Sequence, residues 1–271
     1  MILPFDLVQL TSRFDSPSVQ ALVLVGSYAR GDAGPFSDID LIRFVADQAT
    51  ALPDNGSHLI DGRLVVVHEV RPSQVAEWFS RPEEATAIVS GLRTARPLID
   101  RDGTFAAIQA RARAFTWDAE MQRRANAYAG QRMVGWIEEV HKGLEGLRRG
   151  DVGRMLNARF GLSWGLSHVV QVQRGVLLSG DNAFFTEVEA AVGADTEWAR
   201  LRRIVFGVTA EGEPPPSLRD QVSAGLRLYA LTADLLKDSL QPPDALLIHQ
   251  TAALIKATLT TAEQQVDHSM V

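Results

Sequence analysis

GSYARGDAGPFSDIDL, residues 26–41, is the stretch that decides the fold, because it joins two apolar runs through a glycine-rich loop. The run before the loop, residues 20–26, reads QALVLVG and predicts a buried strand closed by glycine. The run after it, residues 37–45, reads SDIDLIRFV and predicts a second strand, since it alternates and is rich in branched residues. Side chains at i and i+2 project from the same face of a strand. We therefore expect Asp38 and Asp40 to present two carboxylates side by side.

The paired carboxylates indicate a metal site. Hard cations such as Mg²⁺ prefer oxygen ligands. Two such ions, roughly 4 Å apart, can hold the attacking and leaving oxygens of an in-line phosphoryl displacement. We expect Asp38 and Asp40 to be catalytic residues that bind Mg²⁺, in a site that suits two metal ions.

The turn before the loop predicts a phosphate site. Gly26 carries no side chain and lets the backbone approach a phosphate closely. Ser27 is expected at the start of a short helix, where unpaired amides and the helix dipole attract phosphate oxygens. Arg30 would add a cationic contact to a triphosphate. Ser37 completes the set of candidate nucleotide-binding residues.

The composition sets limits on the function. The chain of 271 residues has room for two domains, and 46% apolar with 22% charged residues is ordinary for a soluble globular protein. A net charge of −6 argues against nucleic-acid binding as the main role, since that binding rests on basic surfaces. The chain has no cysteine and can form neither disulfides nor thiolate metal sites. The absence of cysteine fits a reducing compartment, so a cytoplasmic protein is expected. Polar residues interrupt the most apolar stretch, so no membrane span is expected.

The pattern of the sequence changes after Trp117. Strand and helix patterns alternate before it, including a hairpin over residues 58–70 that turns at Asp61-Gly62, and only helical periodicities follow it. The sequence predicts an α+β fold, with a small mixed-sheet domain that carries Asp38 and Asp40 over residues 1–115 and an all-α helical bundle over residues 116–271. The helical patterns cover roughly 118–149, 152–178, 182–193, 196–207, 217–238 and 243–262.

Gly26-Ser27 followed by Asp38 and Asp40 resembles the signature of the nucleotidyltransferase superfamily that includes DNA polymerase β. The closer resemblance is to the kanamycin-type antibiotic nucleotidyltransferases, because WIEEVHKGLEGL (136–147) and the apolar helix after it are similar to that group's second domain. The resemblance implies that the protein passes a nucleoside monophosphate from ATP or another nucleoside triphosphate (NTP) to a hydroxyl of a small molecule and releases pyrophosphate. It also implies a homodimer, in which the helical bundle over residues 116–271 binds the acceptor and takes part in dimerisation, while residues 1–115 form the catalytic domain.

The third carboxylate of the superfamily is a point of difference. It comes from a neighbouring strand, here residues 64–70, and the best register places it at Val66, which cannot bind a metal. Glu69 is the candidate third catalytic acid, although period 2 puts it on the opposite face unless the strand slips or bulges. An exposed or salt-bridged Glu69 is the alternative. Glu77 is a weaker substitute, and His68 could contact substrate or be structural.

The general base is the second point of difference. The kanamycin-type resemblance implies a helical glutamate that takes the proton from the acceptor hydroxyl, and the matching position holds Lys142. A lysine acts as a base only when its pKa falls substantially. Glu138, Glu139 and Glu145 lie within a turn and could take this role. The alternative for Glu138 and Lys142 is an ordinary i,i+4 ion pair.

Three classes of function remain open. The first is an Mg²⁺-dependent nucleotidyltransferase with a small hydroxylated acceptor. The second is a protein-modifying (AMPylating) or antitoxin-linked nucleotidyltransferase, against which the long helical part argues. The third, suggested by Val66 and Lys142, is a catalytically weak homologue that binds Mg²⁺ and ATP. Polymerisation onto nucleic acid ranks last, because the chain is acidic and lacks an aromatic and basic strip.

Overall fold

The computed structural model describes the backbone of residues 6–47 and 54–269, and the side-chain surroundings up to residue 261. The chain divides into two compact units. The first comprises Met1–Met121 and Leu177–Phe184, and the second comprises Gln122–Val176 and Phe185–Val271. The segment Leu177–Phe184 thus belongs to the first unit, whereas a division of the chain at residue 115 assigns it to the helical part.

The first unit is built on a five-stranded mixed sheet. Its strands are β1 (Val19–Val25), β2 (Ile39–Val45), β3 (Gly56–Ile60), β4 (Arg63–Val70) and β5 (Arg96–Asp100). They lie in the order β3-β4-β2-β1-β5. β1 pairs antiparallel with β2 and with β5, β3 pairs antiparallel with β4, and β2 pairs parallel with β4. The two strands that flank the glycine-rich loop are therefore direct neighbours at the centre of the sheet.

Both faces of the sheet carry an apolar core. On one face Ile42 of β2 belongs to a cluster with Val89, and on the other face Leu41 belongs to a cluster with Phe14. Because both faces are covered, residues of either parity are buried along the central strands. The helices of this unit are α1 (Leu7–Phe14), α2 (Gly26–Arg30), α3 (Pro72–Trp78), α4 (Pro82–Thr94) and α5 (Thr104–Ala114).

The predicted hairpin is confirmed. β3 and β4 are joined at Asp61 and Gly62, which have φ angles of 48° and 75°. A two-residue turn with both φ angles positive matches the twist of the flanking strands, and aspartate followed by glycine is a preferred pair for it.

The second unit consists of helices. They are α6 (Ala119–Gly135), which begins in the first unit, α7 (Ile137–Arg149), α8 (Val152–Phe160), α9 (Leu166–Gln173), α10 (Phe184–Val192), α11 (Glu197–Phe206), α12 (Leu218–Leu236) and α13 (Pro242–Ser269). No strand follows Trp117 within the described residues. The predicted α+β fold, a mixed sheet followed by a helical part, is confirmed. None of the helices, as far as they are described, combines the length and apolarity needed to cross a bilayer.

Two of the long predicted helices are interrupted. The pattern over 118–149 breaks at Trp136, between α6 and α7, and the pattern over 152–178 contains a π-helical turn at Gly161–Gly165 between α8 and α9. The interruptions meet in space, because a Cβ atom on Gly165 would collide with the Trp136 indole. A large ring thus occupies the room that two glycines leave open, a long-range contact that periodicity does not reveal.

Candidate nucleotide and metal site

Asp40 lies at the centre of the sheet, near the start of β2. Its register partners are Val25 of β1 and Val66 of β4. Asp38 stands just before the first residue of the strand. Because Asp40 lies two residues before Ile42, it shares the face of the sheet that carries Ile42. The central strands therefore hold this carboxylate on rigid backbone.

Gly26 lies directly against the carboxylate of Asp40. Its φ angle is +68°, a conformation that favours glycine, and a Cβ atom there would collide with Asp40 Oδ2. Gly26 is also the first residue of α2, which follows β1 without a linker. The turn after β1 and the acid of β2 are thus in contact, so the predicted phosphate site and the predicted metal site adjoin.

The surroundings of Asp40 are desolvated and rich in charge. Burial raises the pKa of Asp40 to about 6, and the negative charges of Asp38 and Asp181 act in the same direction. The charges of His68 and Arg30 oppose that shift. A divalent cation beside Asp38 and Asp40 would offset the repulsion between the two acids, so the donor set fits Mg²⁺.

A metal ion bound here would depend on these two acids. Within the described part of the chain, no three His, Cys, Asp or Glu side chains form a group that could hold a metal ion. Asp38 and Asp40 supply a carboxylate pair, and the remaining oxygen ligands of an ion there would come from water and from the phosphates of a substrate, as is common for Mg²⁺.

The other predicted phosphate contacts lie around the same turn. The Ser27 carbonyl accepts hydrogen bonds from the amides of Gly31 and Asp32, at 2.8 and 3.1 Å, and this closes α2. Arg30 is the last residue of α2, and its Nε lies 3.2 Å from Asp32 Oδ2. Ser37 has a different local role, since its Oγ accepts a hydrogen bond from the Gly34 amide at 2.8 Å. That bond closes the loop immediately before Asp38.

The structure corrects the candidate role of Glu69. β2 and β4 pair in continuous register, with Asp40 opposite Val66 and Arg43 opposite Glu69, so neither a slip nor a bulge turns Glu69 toward Asp40. Glu69 Oε1 instead accepts a hydrogen bond from Arg71 at 2.9 Å, and Oε2 lies 3.8 Å from the Arg43 guanidinium. Glu69 is the salt-bridged alternative, and the position opposite Asp40 holds a valine.

The neighbouring candidates of β4 and α3 are also placed. His68 is the register partner of Ile42, and its charge acts on Asp40, so it lies on the face of the site. Glu77 is exposed and pairs with Arg81 at 3.3 Å. Glu77 thus has an ordinary surface ion pair one turn apart.

The candidate bases form an ion-paired cluster on α7. Lys142 Nζ lies 2.9 Å from Glu138 Oε1 and 2.8 Å from Glu139 Oε1. Hydrogen bonds to Glu138 and Glu139 raise the pKa of Lys142, and the bond from Lys142 lowers the pKa of Glu138. Both shifts move away from the near-neutral value that suits a general base. The structure therefore speaks against Lys142 and Glu138 in this role.

Glu139 and Glu145 differ from each other in the same helix. Arg148 donates hydrogen bonds to Glu145 and lowers its pKa to about 2, so Glu145 is a poor proton acceptor. Glu139 Oε2 is buried and has no hydrogen-bond partner among the described residues. Among the four candidate bases, Glu139 is thus the one with a carboxylate oxygen that accepts no hydrogen bond from the described residues.

Sequence reasoning missed Gly180 and Asp181. They lie on the segment Leu177–Phe184, which joins the first unit, and Gly180-Asp181 looks in the sequence like ordinary punctuation between helices. The sequence offers no local signal that this turn reaches the neighbourhood of Asp40.

Strands β1 and β2, the glycine turn between them and the paired aspartates all lie in the part of the chain that a family model matches. The family model of the nucleotidyltransferase domain matches residues 8–72, which include Gly26, Asp38 and Asp40. The chain therefore contains a nucleotidyltransferase domain.

The chain is also similar to solved structures. A crystal structure of a nucleotidyltransferase-like protein from Exiguobacterium sibiricum 255-15 is similar over 85% of this chain and 73% of its own, with 14% sequence identity and a TM-score of 0.47. At that identity and TM-score the likeness supports no conclusion about this chain. No curated protein matches the chain. Closeness to the kanamycin-type enzymes stays a prediction.

Proposed function

We propose that the protein is an Mg²⁺-dependent nucleotidyltransferase that moves a nucleoside monophosphate from an NTP to a hydroxyl of a small molecule. The observation that carries this proposal is the contact between Gly26 and the carboxylate of Asp40, beside Asp38. Two acids beside a side-chain-free turn suit a cation and a polyphosphate together. The nucleotidyltransferase domain over residues 8–72 supports the same class of reaction.

Each group has a role in this proposal. Asp38 and Asp40 hold Mg²⁺, and the backbone at Gly26 and Ser27 together with Arg30 contacts the triphosphate. Bound Mg²⁺ would supply Lewis-acid stabilisation of the charge that develops on the phosphate oxygens. The acceptor oxygen forms a bond to the α-phosphorus, the bond from that phosphorus to the bridging oxygen breaks, and pyrophosphate leaves.

The reaction also needs a base that takes the proton from the hydroxyl of the acceptor molecule. Glu139 is our proposed base, because one of its oxygens has no hydrogen-bond partner within the described residues, while Lys142 holds the other oxygen at 2.8 Å.

The decisive experiment uses ATP labelled with ³²P at the α-phosphate, Mg²⁺ and the small-molecule fraction of a cell extract. We expect transfer of label to a small molecule with release of pyrophosphate. Asp38→Asn should reduce transfer by more than about a hundredfold, since even loss of an outer-shell partner costs about 10- to 100-fold. Asp102→Asn is the matched control, because Asp102 is exposed with a φ of 57° that asparagine tolerates. Equal activity of Asp38→Asn and Asp102→Asn contradicts the proposal.

The valine opposite Asp40 favours a second candidate function. Without a third carboxylate from β4, the domain could bind Mg²⁺ and an NTP with little turnover. Calorimetry would then show binding of Mg²⁺ and ATP, while pyrophosphate release stays at the background rate. Release that depends on Asp38 excludes this candidate.

Other aspects of the function remain predictions. ATP as the preferred NTP, a homodimer and a cytoplasmic location come from the sequence and from its resemblance. An AMPylating or antitoxin-linked enzyme differs from our proposal in its acceptor, so the same labelling experiment separates them: label on a macromolecule favours that alternative.

A further inference from the structure

The segment Leu177–Phe184, which we name the strap, packs on the first unit. The Leu178 amide donates a hydrogen bond to the Thr86 carbonyl of α4 at 3.0 Å, and the Leu178 side chain is buried. Leu177 packs against the core cluster that contains Ile42. Beyond these anchors, the Ala183 amide donates to the Gly180 carbonyl at 2.9 Å and forms a tight turn. The strap is thus held at a defined place beside the sheet.

Gly180 of the strap touches the guanidinium of Arg30. A Cβ atom on Gly180 would lie 3.1 Å from one terminal nitrogen of Arg30, 3.2 Å from the other and 3.3 Å from the carbon between them. All three distances are tighter than ordinary van der Waals contact. The guanidinium therefore lies against bare backbone and occupies the space that a side chain at residue 180 would fill.

The backbone of Gly180 does not itself require glycine. Its φ angle is 172°, which is extended backbone that any residue adopts. The requirement for a small residue therefore comes from Arg30. A side chain at position 180 would push the guanidinium away without straining the strap, because the guanidinium is the mobile end of a long side chain.

The strap reaches the same charged neighbourhood as the metal ligands. Asp181 follows Gly180, is exposed, and contributes negative charge at Asp40, while Arg30 contributes positive charge there. Arg30 also holds Asp32 through its Nε at 3.2 Å. The guanidinium thus lies between Asp32, which its Nε contacts, and the backbone of Gly180, which its terminal nitrogens face, near Asp40.

We propose that Gly180 is a positioning residue that sets the Arg30 guanidinium for its contact with the triphosphate, so that the strap is part of the nucleotide site. This inference rests on the proposed function, in which Arg30 binds phosphate. A guanidinium held in place before binding loses less conformational freedom when the nucleotide arrives, and its hydrogen bonds therefore contribute more to affinity.

The test measures binding of a nonhydrolysable ATP analogue with Mg²⁺ to the full chain by calorimetry, so it needs no acceptor. Loss of one charge-assisted contact in Arg30→Ala should weaken binding by about tenfold or more. Gly180→Val should weaken binding by about three- to tenfold, and Gly180→Ala by less, because both act only through the position of that contact. Gly91→Ala is the matched control, since a Cβ atom there meets nothing within 4 Å.

A double-mutant cycle separates positioning from a general disturbance. If Gly180 acts through Arg30, Gly180→Val has no further effect on affinity in an Arg30→Ala background. Thermal unfolding of Gly180→Val should match that of the wild-type protein, since only the mobile end of Arg30 has to move.

The outcomes are distinct. The inference alone is overturned if the wild-type protein binds the analogue and Gly180→Val leaves the affinity unchanged. It is also overturned if Gly180→Val weakens binding equally with and without Arg30. Absence of Mg²⁺–analogue binding by the wild-type protein overturns the proposed function and this inference together. A loss that appears only when Arg30 is present supports the inference.

Discussion

The acidic residues on the two faces of the sheet have different electrostatic surroundings. Asp40 and Glu69 lie on the adjacent strands β2 and β4, and each is largely shielded from solvent. Glu69 meets two arginines, Arg71 at 2.9 Å and Arg43 at 3.8 Å, and its charge is neutralised within the protein. Asp40 meets further negative charge, and burial raises its pKa to about 6.

The difference distinguishes an acid that is already paired within the protein from one that is available to a cation. An ion pair that is already complete has nothing to offer a ligand, whereas a desolvated carboxylate beside a second one is unfavourable until a cation arrives. Shielding and acidity alone do not distinguish the two residues. The direct ion pairs of Glu69 with Arg71 and Arg43 do.

The largest expected effect comes from removing the charge of Asp40. Asp40→Asn should lower nucleotidyl transfer by more than about a hundredfold, by the same reasoning as for Asp38. Because the substitution also relieves repulsion and desolvation in the protein without metal, we expect a higher melting temperature in EDTA. Calorimetric melting of the two proteins, followed by the transfer assay, checks both results.

The stability gain from Asp40→Asn should depend on pH. The folded protein holds the proton of Asp40 more tightly than the unfolded chain, since the pKa of Asp40 is raised from 3.8 to about 6. Stability from this group therefore falls as pH rises through that interval. The advantage of Asp40→Asn in EDTA should be larger above pH 6 than near the unfolded pKa. A gain that shrinks as pH rises contradicts the assignment.

The next effect concerns the opposite face. Glu69→Gln leaves the Arg43 guanidinium, whose side chain is only 3% exposed, beside a neutral partner. We expect a loss of about 3 kcal/mol in the free energy of unfolding, as for other broken buried pairs. Affinity for the Mg²⁺–ATP analogue should not change, because Glu69 lies away from Asp40. Denaturant unfolding measures the stability, and calorimetry measures the affinity. Weaker nucleotide binding at unchanged stability would indicate that Glu69 belongs to the nucleotide site.

The smallest effect is expected at the strap. Asp181→Asn removes one negative charge that acts on Asp40, so Mg²⁺ affinity should fall by about threefold, as expected of a solvent-screened charge. Asn182→Ala on the same turn is the matched control, since it changes no charge. Titration with Mg²⁺ at low and high salt distinguishes a charge effect, which salt weakens, from a local disturbance, which salt leaves unchanged.

Much of the first unit could be predicted from its sequence. The runs at 20–26 and 37–45 form adjacent strands, Asp61-Gly62 forms the hairpin turn, and the register places Val66 opposite Asp40. These features depend on period-2 alternation and on turn chemistry, which act between residues that are near one another in the chain or directly paired.

The features that escaped prediction depend on contacts between distant residues. The interruption at Trp136 follows from the room left by Gly161 and Gly165, and the helical pattern on either side of Trp136 gives no sign of it. The positions of Gly180 and Asp181 depend on how the strap packs on α4. No periodicity connects such residues, because their separation along the chain is large.

By itself, the sequence determined the local elements of this protein: the paired acids at the start of β2, the glycine turn before them, the mixed α and β character and the helical remainder. Only the tertiary structure decided that Glu69 is neutralised by arginines and that Gly180 bears on Arg30. The physical reason is the separation along the chain over which each effect acts. Backbone propensity and side-chain alternation are properties of a few consecutive residues, whereas charge pairing and steric room depend on which surfaces the folded chain brings together.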